Sequence, residues 1–239
     1  MQRYFAKRYE KDVVLTKDDA FHLTKVMRAR VGDKIEVVAD DKLFLCKVES
    51  VKPLQIKISR EVKENNELRC NVILITSLLK GDHTDLVVQK ATELGVNEIV
   101  FLASERTVIK IKDSERAKKL ERYTRIAKEA AEQSKRLFIP NVFRLIKIDA
   151  LKTLKADIKL IAYEDMQGAA TNLHDKIAKL KDGKTIAIMI GPEGGFSKGE
   201  VDTAMYYGFK KISLGKRILR SETASLYALS VIANALERK

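Results

Sequence analysis

The stretch TIAIMIGPEGGFSKGE, residues 185–200, has the pattern of an apolar strand, a glycine-rich loop and the start of a helix. The run from Thr185 to Ile190 is largely apolar and of strand length, which is typical of a strand buried on both faces. Three glycines within the next five residues allow close approach of the backbone to a ligand. Ligands of open α/β folds gather at the carboxyl ends of strands, where this loop lies. The stretch therefore predicts a ligand-binding loop, with a plain tight turn as the alternative.

The segments around this stretch alternate between strand and helix patterns. Apolar runs predict further strands, and amphipathic segments predict helices between them. The strands are expected at Val72–Leu78, Glu98–Leu102, Lys159–Tyr163 and Lys211–Leu214, and the helices at Asp82–Leu94 and Asp113–Arg136. Such alternation is typical of a mostly parallel sheet covered by helices on both sides, so the predicted fold class is α/β.

The first seventy residues have a different pattern. An amphipathic helix is predicted from Lys17 to Arg30, with Thr16 as its cap. From Lys34 to Val62 the apolar positions recur at every second residue, which predicts several short strands in a small barrel or a curled sheet. A polar linker, Lys63–Glu67, then separates two predicted domains, residues 1–68 and 71–239. The residues expected on the inner face of the helix are Leu23, Val26 and Met27.

Composition argues against several classes of protein. The chain has 239 residues, of which 45% are hydrophobic and 33% are charged, as in ordinary globular proteins. No apolar run is long enough to span a bilayer, and MQRYFAKRYE at the N-terminus lacks the apolar stretch of a secretory signal. We therefore expect a cytoplasmic protein with no membrane partner. The two cysteines form no CxxC pair and the three histidines are scattered, so no metal site is expected.

The net charge of +13 indicates an acidic partner. Cationic proteins gain affinity for a phosphate backbone by releasing its counterions, so nucleic acid is the favoured partner class. The alternative is a chain whose many lysines maintain its solubility.

A second loop of similar organisation lies in LGKRILRSETAS, residues 214–225, where a strand is again followed by a glycine and then a helix. The apolar pair Ile218-Leu219 lies between Arg217 and Arg220, which suits a pocket that holds a flat apolar base beside a polar group. Alternatively, the apolar pair plugs the core and both arginines are solvated. A third strand end, IAYED at residues 161–165, gains meaning only beside the other two.

Seven strings are distributed along the chain: RYF, HLTKVMRARVGD, KGDHTDLVVQKATELGV, SERTV, ERYTRIAKEAAEQSKRLFIP, IGPEGGFS and LGKRILRSETA. Together these strings resemble the ribosomal small-subunit RNA methyltransferase E family, of the SPOUT superfamily. They follow the family's order, cover nearly the whole chain, and include the highly specific combination of GPEGGFS with LGxRILRxETA. Three places depart from the usual family pattern: His83-Thr84 replaces a basic residue and Met, Lys135 replaces Gly, and Ser221 replaces Thr.

The resemblance implies an N-terminal PUA-like barrel, a C-terminal SPOUT-type parallel sheet with a deep trefoil knot, and a homodimer. It implies that a methyl group of S-adenosyl-L-methionine (SAM) is transferred to N3 of a uridine in 16S ribosomal RNA of the small ribosomal subunit. It also implies that three loops clasp the cofactor. The cofactor-binding residues of this chain would be Ala162, Tyr163, Glu164, Ile190, Gly191, Pro192, Glu193, Gly194, Gly195, Leu214, Gly215, Ile218 and Leu219.

Methyl transfer to uridine N3 suggests roles for two residues near the last loop. N3 carries a proton, so catalysis needs a proton acceptor or a group that stabilises negative charge on O2 and O4. We predict that Arg220 is the stabiliser, because its charge is fixed. Glu222 is the candidate acceptor, and a role in the first turn of the helix, with Ser221 as cap, is the alternative. The predicted phosphate contacts are Arg3, Arg28, Arg30, Arg106 and Arg136.

Two other functions fit parts of the sequence. An RNA chaperone or assembly factor that has lost catalysis would carry the same charge but would not take up SAM. A nucleotide hydrolase that uses the glycine-rich loop is disfavoured, because the pattern GxxxxGK[ST] is absent and Glu193 is a poor neighbour for a phosphate.

Overall fold

The computed structural model describes residues 1–109, 111–163, 171–177 and 180–237. The chain divides into two compact units. Unit 1 comprises Met1–Glu67 and Ala131–Phe138, and unit 2 comprises Leu68–Ala130 and Ile139–Lys239. The sequence pattern predicts one domain over residues 71–239, whereas the backbone contacts assign Ala131–Phe138 to unit 1.

Unit 1, whose residues are all described, contains a six-stranded sheet. Its strands lie in the order β1-β4-β5-β6-β3-β2, with β1 parallel to β4 and the other neighbours antiparallel. Although β1 and β2 are the two edges of this sheet, Ala6 alone separates them in sequence. The sheet therefore curls until its edges are adjacent, which agrees with the predicted small barrel or curled sheet. The strands are β1 (Arg3–Phe5), β2 (Lys7–Tyr9), β3 (Asp12–Val14), β4 (Lys34–Ala39), β5 (Lys42–Val51) and β6 (Leu54–Val62).

The helix between β3 and β4 is shorter than predicted. Helix α1 (Lys17–Phe21) is capped by the side chain of Thr16, as predicted, and continues as a π-helical turn over His22–Val26. A π-helical turn holds more residues than an α-helical turn, so the residues at its end lose the predicted alignment. Leu23 is buried as predicted. The inward positions predicted for the other two residues are wrong, since Val26 is 59% and Met27 50% exposed.

Two buried arginines, Arg3 and Arg136, connect residues 131–138 to the N-terminal part of unit 1. The Nε of Arg3 lies 3.0 Å from Oε2 of Glu36, and its Nη1 donates to the backbone carbonyl of Arg136 at 3.4 Å. The Nη2 of Arg136 lies 2.7 Å from Oε2 of Glu67. The prediction that Arg3 and Arg136 contact phosphate is wrong, because they are 1% and 3% exposed and their charges are already paired.

The Arg3–Glu36 pair makes the stability of unit 1 depend on pH. Burial alone would raise the pKa of Glu36, but hydrogen bonds from Lys135 and Arg3 hold it below its ordinary value of 4.5. A lowered pKa stabilises the folded chain above the unfolded-state pKa, and this contribution is lost as the pH falls through the folded-state value. We therefore expect urea unfolding midpoints to fall between about pH 5 and pH 3 more steeply for the wild type than for Glu36→Gln.

The matched control for this experiment is Glu61→Gln. The Glu61 carboxylate pairs with Lys42 at 3.5 Å but is 44% exposed, and exposed pairs contribute little to stability. Its unfolding midpoints should follow those of the wild type at every pH. Equal pH slopes for Glu36→Gln and the wild type would contradict the prediction.

The described part of unit 2 contains a seven-stranded sheet in which all paired neighbours are parallel. The strand order is β11-β13-β10-β12-β7-β8-β9, which confirms the predicted α/β class. Each strand predicted in this part of the chain is present, with ends within two residues of those expected. The strands are β7 (Asn71–Thr76), β8 (Glu98–Leu102), β9 (Asn141–Ile146), β10 (Ile158–Ala162), β11 (Thr171–Asn172), β12 (Thr185–Ile190) and β13 (Lys210–Ser213).

Helices cover both faces of this sheet. Strand β12 lies at its centre and alternates between two cores. Ile186 and Ile188 belong to the core that includes buried residues of α2 and α6, and Met189 belongs to the core that includes those of α5. The helices are α2 (His83–Glu93), α3 (Asp113–Gln133), α4 (Leu173–Ile177), α5 (Lys198–Tyr206) and α6 (Ser221–Leu236).

Burial on both faces explains why β12 is largely apolar.

None of the helices in the described ranges is long and apolar enough to cross a membrane. The trefoil knot implied by the resemblance stays a prediction.

Candidate active site

The carboxyl ends of neighbouring parallel strands meet at one end of the unit 2 sheet. The glycine loop (residues 191–197) follows β12, the arginine loop (residues 214–220) follows β13, and Tyr163 follows β10. Strand β10 lies between the other two, so all three strand ends are close together. A cavity of about 710 Å³ lies among them. This volume is in the range of small-molecule sites, which is about 300–1,000 Å³.

The cavity brings together most of the residues predicted from the sequence. Gly194 belongs to the glycine loop but does not line the cavity, and Glu164 lies outside the described residues. Further lining residues that were not assigned to the pocket from sequence include Lys80, His83, Phe196 and Ser213. The predicted residues that line it are Ala162, Tyr163, Ile190, Gly191, Pro192, Glu193, Gly195, Leu214, Gly215, Ile218, Leu219, Arg220 and Glu222.

Hydrogen bonds within the glycine loop and from Lys80 hold the loop in place. The Gly195 N–H donates to the Pro192 carbonyl at 2.9 Å, which closes a tight turn, and Gly195 has a φ of +67° that favours glycine. The Lys80 N–H donates to Oε1 of Glu193 at 3.1 Å. The glycine loop is therefore a tight turn that also lines a cavity, and ligand binding by this loop stays a prediction.

Ser221 connects the glycine loop to α6. Its Oγ donates to the Gly191 carbonyl at 2.6 Å. The prediction that Ser221 caps α6 is wrong, because Ser221 is the first helical residue and Arg220 occupies the cap position without a side-chain bond. A hydroxyl directed at the neighbouring loop could not be distinguished from a cap by sequence alone, since both need the same residue type.

The arginine loop combines an exposed and a packed apolar residue. Ile218 is 89% exposed, so it does not plug the core. Leu219 packs against the core that includes α2 and α6. Arg217 and Arg220 are exposed and line the cavity. The alternative in which both apolar residues are core plugs is therefore wrong for Ile218 and right for Leu219.

Glu222 and His83 face each other at the cavity. The Glu222 side chain is 12% exposed, and its Oε1 lies 3.6 Å from Nδ1 of His83, which is 47% exposed. This is an ion-pair distance that slightly exceeds a hydrogen bond. Among the residues that the structure describes, the Arg220 guanidinium has no hydrogen-bond or ion-pair partner. The largely buried Glu222 carboxylate and the Arg220 guanidinium thus line the same cavity.

The remaining predicted phosphate contacts lie in different places. Arg28 and Arg30 are exposed in unit 1, and their contact with phosphate stays a prediction. Arg106 lines the cavity of unit 2, where its Nη1 donates to the Gly194 carbonyl at 3.1 Å. No cluster of three or more His, Cys, Asp or Glu side chains that could hold a metal ion occurs in the described ranges.

Comparisons with known proteins agree with this architecture. Residues 66–233 match the family described as RNA methyltransferase domain, and residues 15–59 match that described as RNA methyltransferase PUA domain. The chain is 34% identical to ribosomal RNA small subunit methyltransferase E of Bacillus subtilis, with 99% of this chain and 98% of the relative covered. It is 32% identical to the protein of the same name in Mesomycoplasma hyopneumoniae, with 96% and 98% covered.

A solved structure extends the likeness to the whole fold. The crystal structure of a ribosomal RNA small subunit methyltransferase E from Neisseria gonorrhoeae, bound to S-adenosyl methionine, has a TM-score of 0.85 and 30% identity. The match covers 98% of this chain and 97% of that chain. These findings confirm the resemblance carried by the sequence motifs. The chain belongs to the ribosomal RNA small subunit methyltransferase E family.

Proposed function

We propose that this chain transfers a methyl group from SAM to N3 of a uridine in 16S ribosomal RNA of the small ribosomal subunit. The observation that carries the proposal is the cavity where the glycine loop and the arginine loop meet. The relatives' names and the SAM-bound crystal structure support the same reaction class.

The cavity fits a SAM molecule in size and in chemistry. Its apolar residues suit an adenine ring, and its backbone-rich loops offer polar groups to the rest of the molecule. Gly195 and Gly215 both have positive φ, and a Cβ at either would meet no atom within 4 Å, so there is open space beside both. The residues that would hold SAM are the predicted cofactor-binding residues that line the cavity: Ala162, Tyr163, Ile190, Gly191, Pro192, Glu193, Gly195, Leu214, Gly215, Ile218 and Leu219. Bound there, SAM would supply a methyl group on a positively charged sulfur.

The residues of the chain would prepare the uridine. The Arg220 guanidinium, which lines the cavity, would stabilise negative charge on O2 or O4 as N3 loses its proton. The Glu222 carboxylate, with His83 beside it, would accept that proton. The loops around the cavity would hold both reactants close together, and correct placement alone lowers the barrier substantially.

The proposal also includes RNA binding by unit 1 and assembly of the chain into a homodimer. The net charge of +13, the PUA match and the exposed Arg28 and Arg30 support RNA binding by unit 1. Tyr206 and Ile218, which are 85% and 89% exposed, supply apolar surface that the second copy in a homodimer would cover. We also propose a cytoplasmic location, because the substrate of the proposed reaction is ribosomal RNA.

The test is methyl transfer to ribosomal particles. Isolated small subunits and naked 16S RNA are incubated separately with the protein and labelled SAM, and the modified nucleoside is then mapped. We expect N3-methyluridine at a single position. An RNA chaperone without catalysis would bind the RNA and leave it unlabelled, and isothermal titration would show no uptake of SAM.

Gly194→Ala tests the glycine loop. A Cβ at Gly194 would lie 3.1 Å from the Cβ of Arg106, so the loop would have to move by a few tenths of an ångström. We expect SAM to bind about tenfold more weakly, as measured by isothermal titration. In the control Gly199→Ala, the new Cβ meets only the Ser197 Oγ at 3.9 Å, so SAM affinity should stay unchanged. Equal affinity of both variants would show that the loop tolerates the added methyl group.

A further inference from the structure

The loop that follows β8, residues 103–107 (the β8 loop), is bonded to the glycine loop although β7 separates β8 from β12. The Nη1 of Arg106 donates to the Gly194 carbonyl at 3.1 Å and to the Phe196 carbonyl at 3.5 Å. The Glu105 N–H donates to Oε1 of Glu200 at 3.0 Å. The β8 loop therefore contacts both the glycine loop and the first turn of α5.

Both peptide groups that Arg106 contacts are also held at their N–H. In the peptide between Gly194 and Gly195, the N–H donates to the Pro192 carbonyl at 2.9 Å. In the peptide between Phe196 and Ser197, the N–H donates to Oε2 of Glu200 at 2.9 Å. A trans peptide is a rigid plane, so bonds at its oxygen and its N–H fix its orientation. Arg106 therefore helps to orient two peptide planes of the glycine loop, and Glu200 acts with it on one of them, the Phe196–Ser197 peptide.

The packing around these bonds is specific. Glu200 is 2% exposed, and its two carboxylate oxygens accept backbone N–H bonds from two different loops. Burial of a carboxylate is costly unless hydrogen bonds satisfy it, so the position of Glu200 depends on both loops. Gly194 lies so close to Arg106 that a Cβ would approach the Arg106 Cβ to 3.1 Å.

We propose that Arg106 is a positioning residue of the SAM site and that Glu200 acts with it. This inference rests on the proposed function. It assigns the Arg106 charge to carbonyl oxygens of the glycine loop, in place of the RNA phosphate expected from the sequence. The β8 loop thereby becomes part of the cofactor site, because Arg106 lines the cavity and also orients the glycine loop.

The test separates SAM affinity from RNA affinity in Arg106→Ala. SAM affinity is measured by isothermal titration, and affinity for a 16S RNA fragment is measured at several salt concentrations. We expect SAM to bind about tenfold to a hundredfold more weakly, since bonds from a charged donor are lost. The salt dependence of RNA binding should stay unchanged, whereas loss of a phosphate contact lowers its slope by about one. Unchanged SAM affinity, or a lowered salt slope, overturns the proposal.

Arg116→Ala is the matched control. Arg116 is also an arginine of unit 2 that donates to a backbone carbonyl, that of Leu145 at 3.0 Å, but it does not line the cavity. It loses the same charge and the same kind of bond, and its SAM affinity should equal that of the wild type. Failure of the wild type itself to take up SAM would be a different result, because it would overturn the proposed function.

Two further variants keep the test informative if Arg106→Ala folds poorly. Arg106→Lys retains the charge, but its ammonium nitrogen lies one bond closer to the backbone than Nη1 and should not reach both carbonyls, so SAM should still bind more weakly. In Glu200→Gln, an NH2 group replaces one carboxylate oxygen, so the N–H of either Glu105 or Ser197 loses its acceptor. This variant should bind SAM more weakly, and the salt dependence of its RNA binding should not change. In the double variant the two losses should be less than additive, because both residues hold the Phe196–Ser197 peptide. Full additivity would overturn their joint role.

Discussion

Replacing Arg220 by alanine is expected to leave SAM binding intact and to slow methyl transfer by about a hundredfold or more. The guanidinium lines the cavity and has no partner among the described residues, so its charge is available to the uridine. Its loss removes stabilisation only where negative charge develops on the base, which lowers the rate constant and not the affinity. Single-turnover methylation of small subunits, with isothermal titration of SAM in parallel, measures both quantities.

The control for Arg220→Ala is Lys216→Ala. Lys216 is an exposed cation of the same arginine loop, but it does not line the cavity. Its removal should leave the rate constant within about a factor of two, because it costs only a remote, solvent-screened charge. Helix α6 should tolerate Arg220→Ala, since the Arg220 side chain makes no capping bond. Equal losses of SAM affinity and of methyl transfer would show that Arg220 holds the site together and does not act on the uridine.

Glu222→Gln is expected to lower the methyl-transfer rate constant by about a hundredfold, the usual contribution of a general base. Glutamine has nearly the shape of glutamate but cannot accept the N3 proton. The uridine would then have to ionise without help, so the rate of the variant should rise more steeply with pH than that of the wild type. The measurement is a single-turnover pH profile at saturating SAM.

The alternative role of Glu222 is a charge in the first turn of α6. A first-turn acid stabilises a helix by about 0.3–1 kcal/mol and has no effect on chemistry. Glu115→Gln in the first turn of α3 changes an exposed acid of this kind and should leave the pH profile unaltered. If the profile of Glu222→Gln also matches that of the wild type, the carboxylate serves the helix and another group accepts the proton.

The sequence predicts the sheet of unit 2 well because its strands are buried. Thr185–Ile190 was bounded correctly, and the other predicted strands differ by no more than two residues. Apolar runs of this length have few alternatives within a compact domain. The glycine and arginine loops could also be found, since strand ends in a parallel sheet converge on one edge.

The sequence could not predict features that depend on one side chain meeting a distant backbone group. The π-helical turn moved Val26 and Met27 outward without any signal in their spacing. Arg3 and Arg106 both carry the charge expected of phosphate contacts, and only the tertiary structure shows the carbonyl groups that they bind. An arginine in the sequence predicts only that its side chain will bind a hydrogen-bond acceptor. Phosphate is one class of such acceptors, and backbone carbonyls are another.

The assignment of Ala131–Phe138 to unit 1 has a consequence for synthesis of the chain. Arg3 and Glu67 emerge from the ribosome early, but their partners near Arg136 follow only after residues 68–130 have been added. At about 5–20 residues per second this is a wait of several seconds, during which Arg3 lacks its backbone acceptor and Glu67 lacks its arginine partner. A fragment that stops at residue 67 would retain this defect permanently. The N-terminal barrel can therefore mature only after more than half of the polypeptide has been translated.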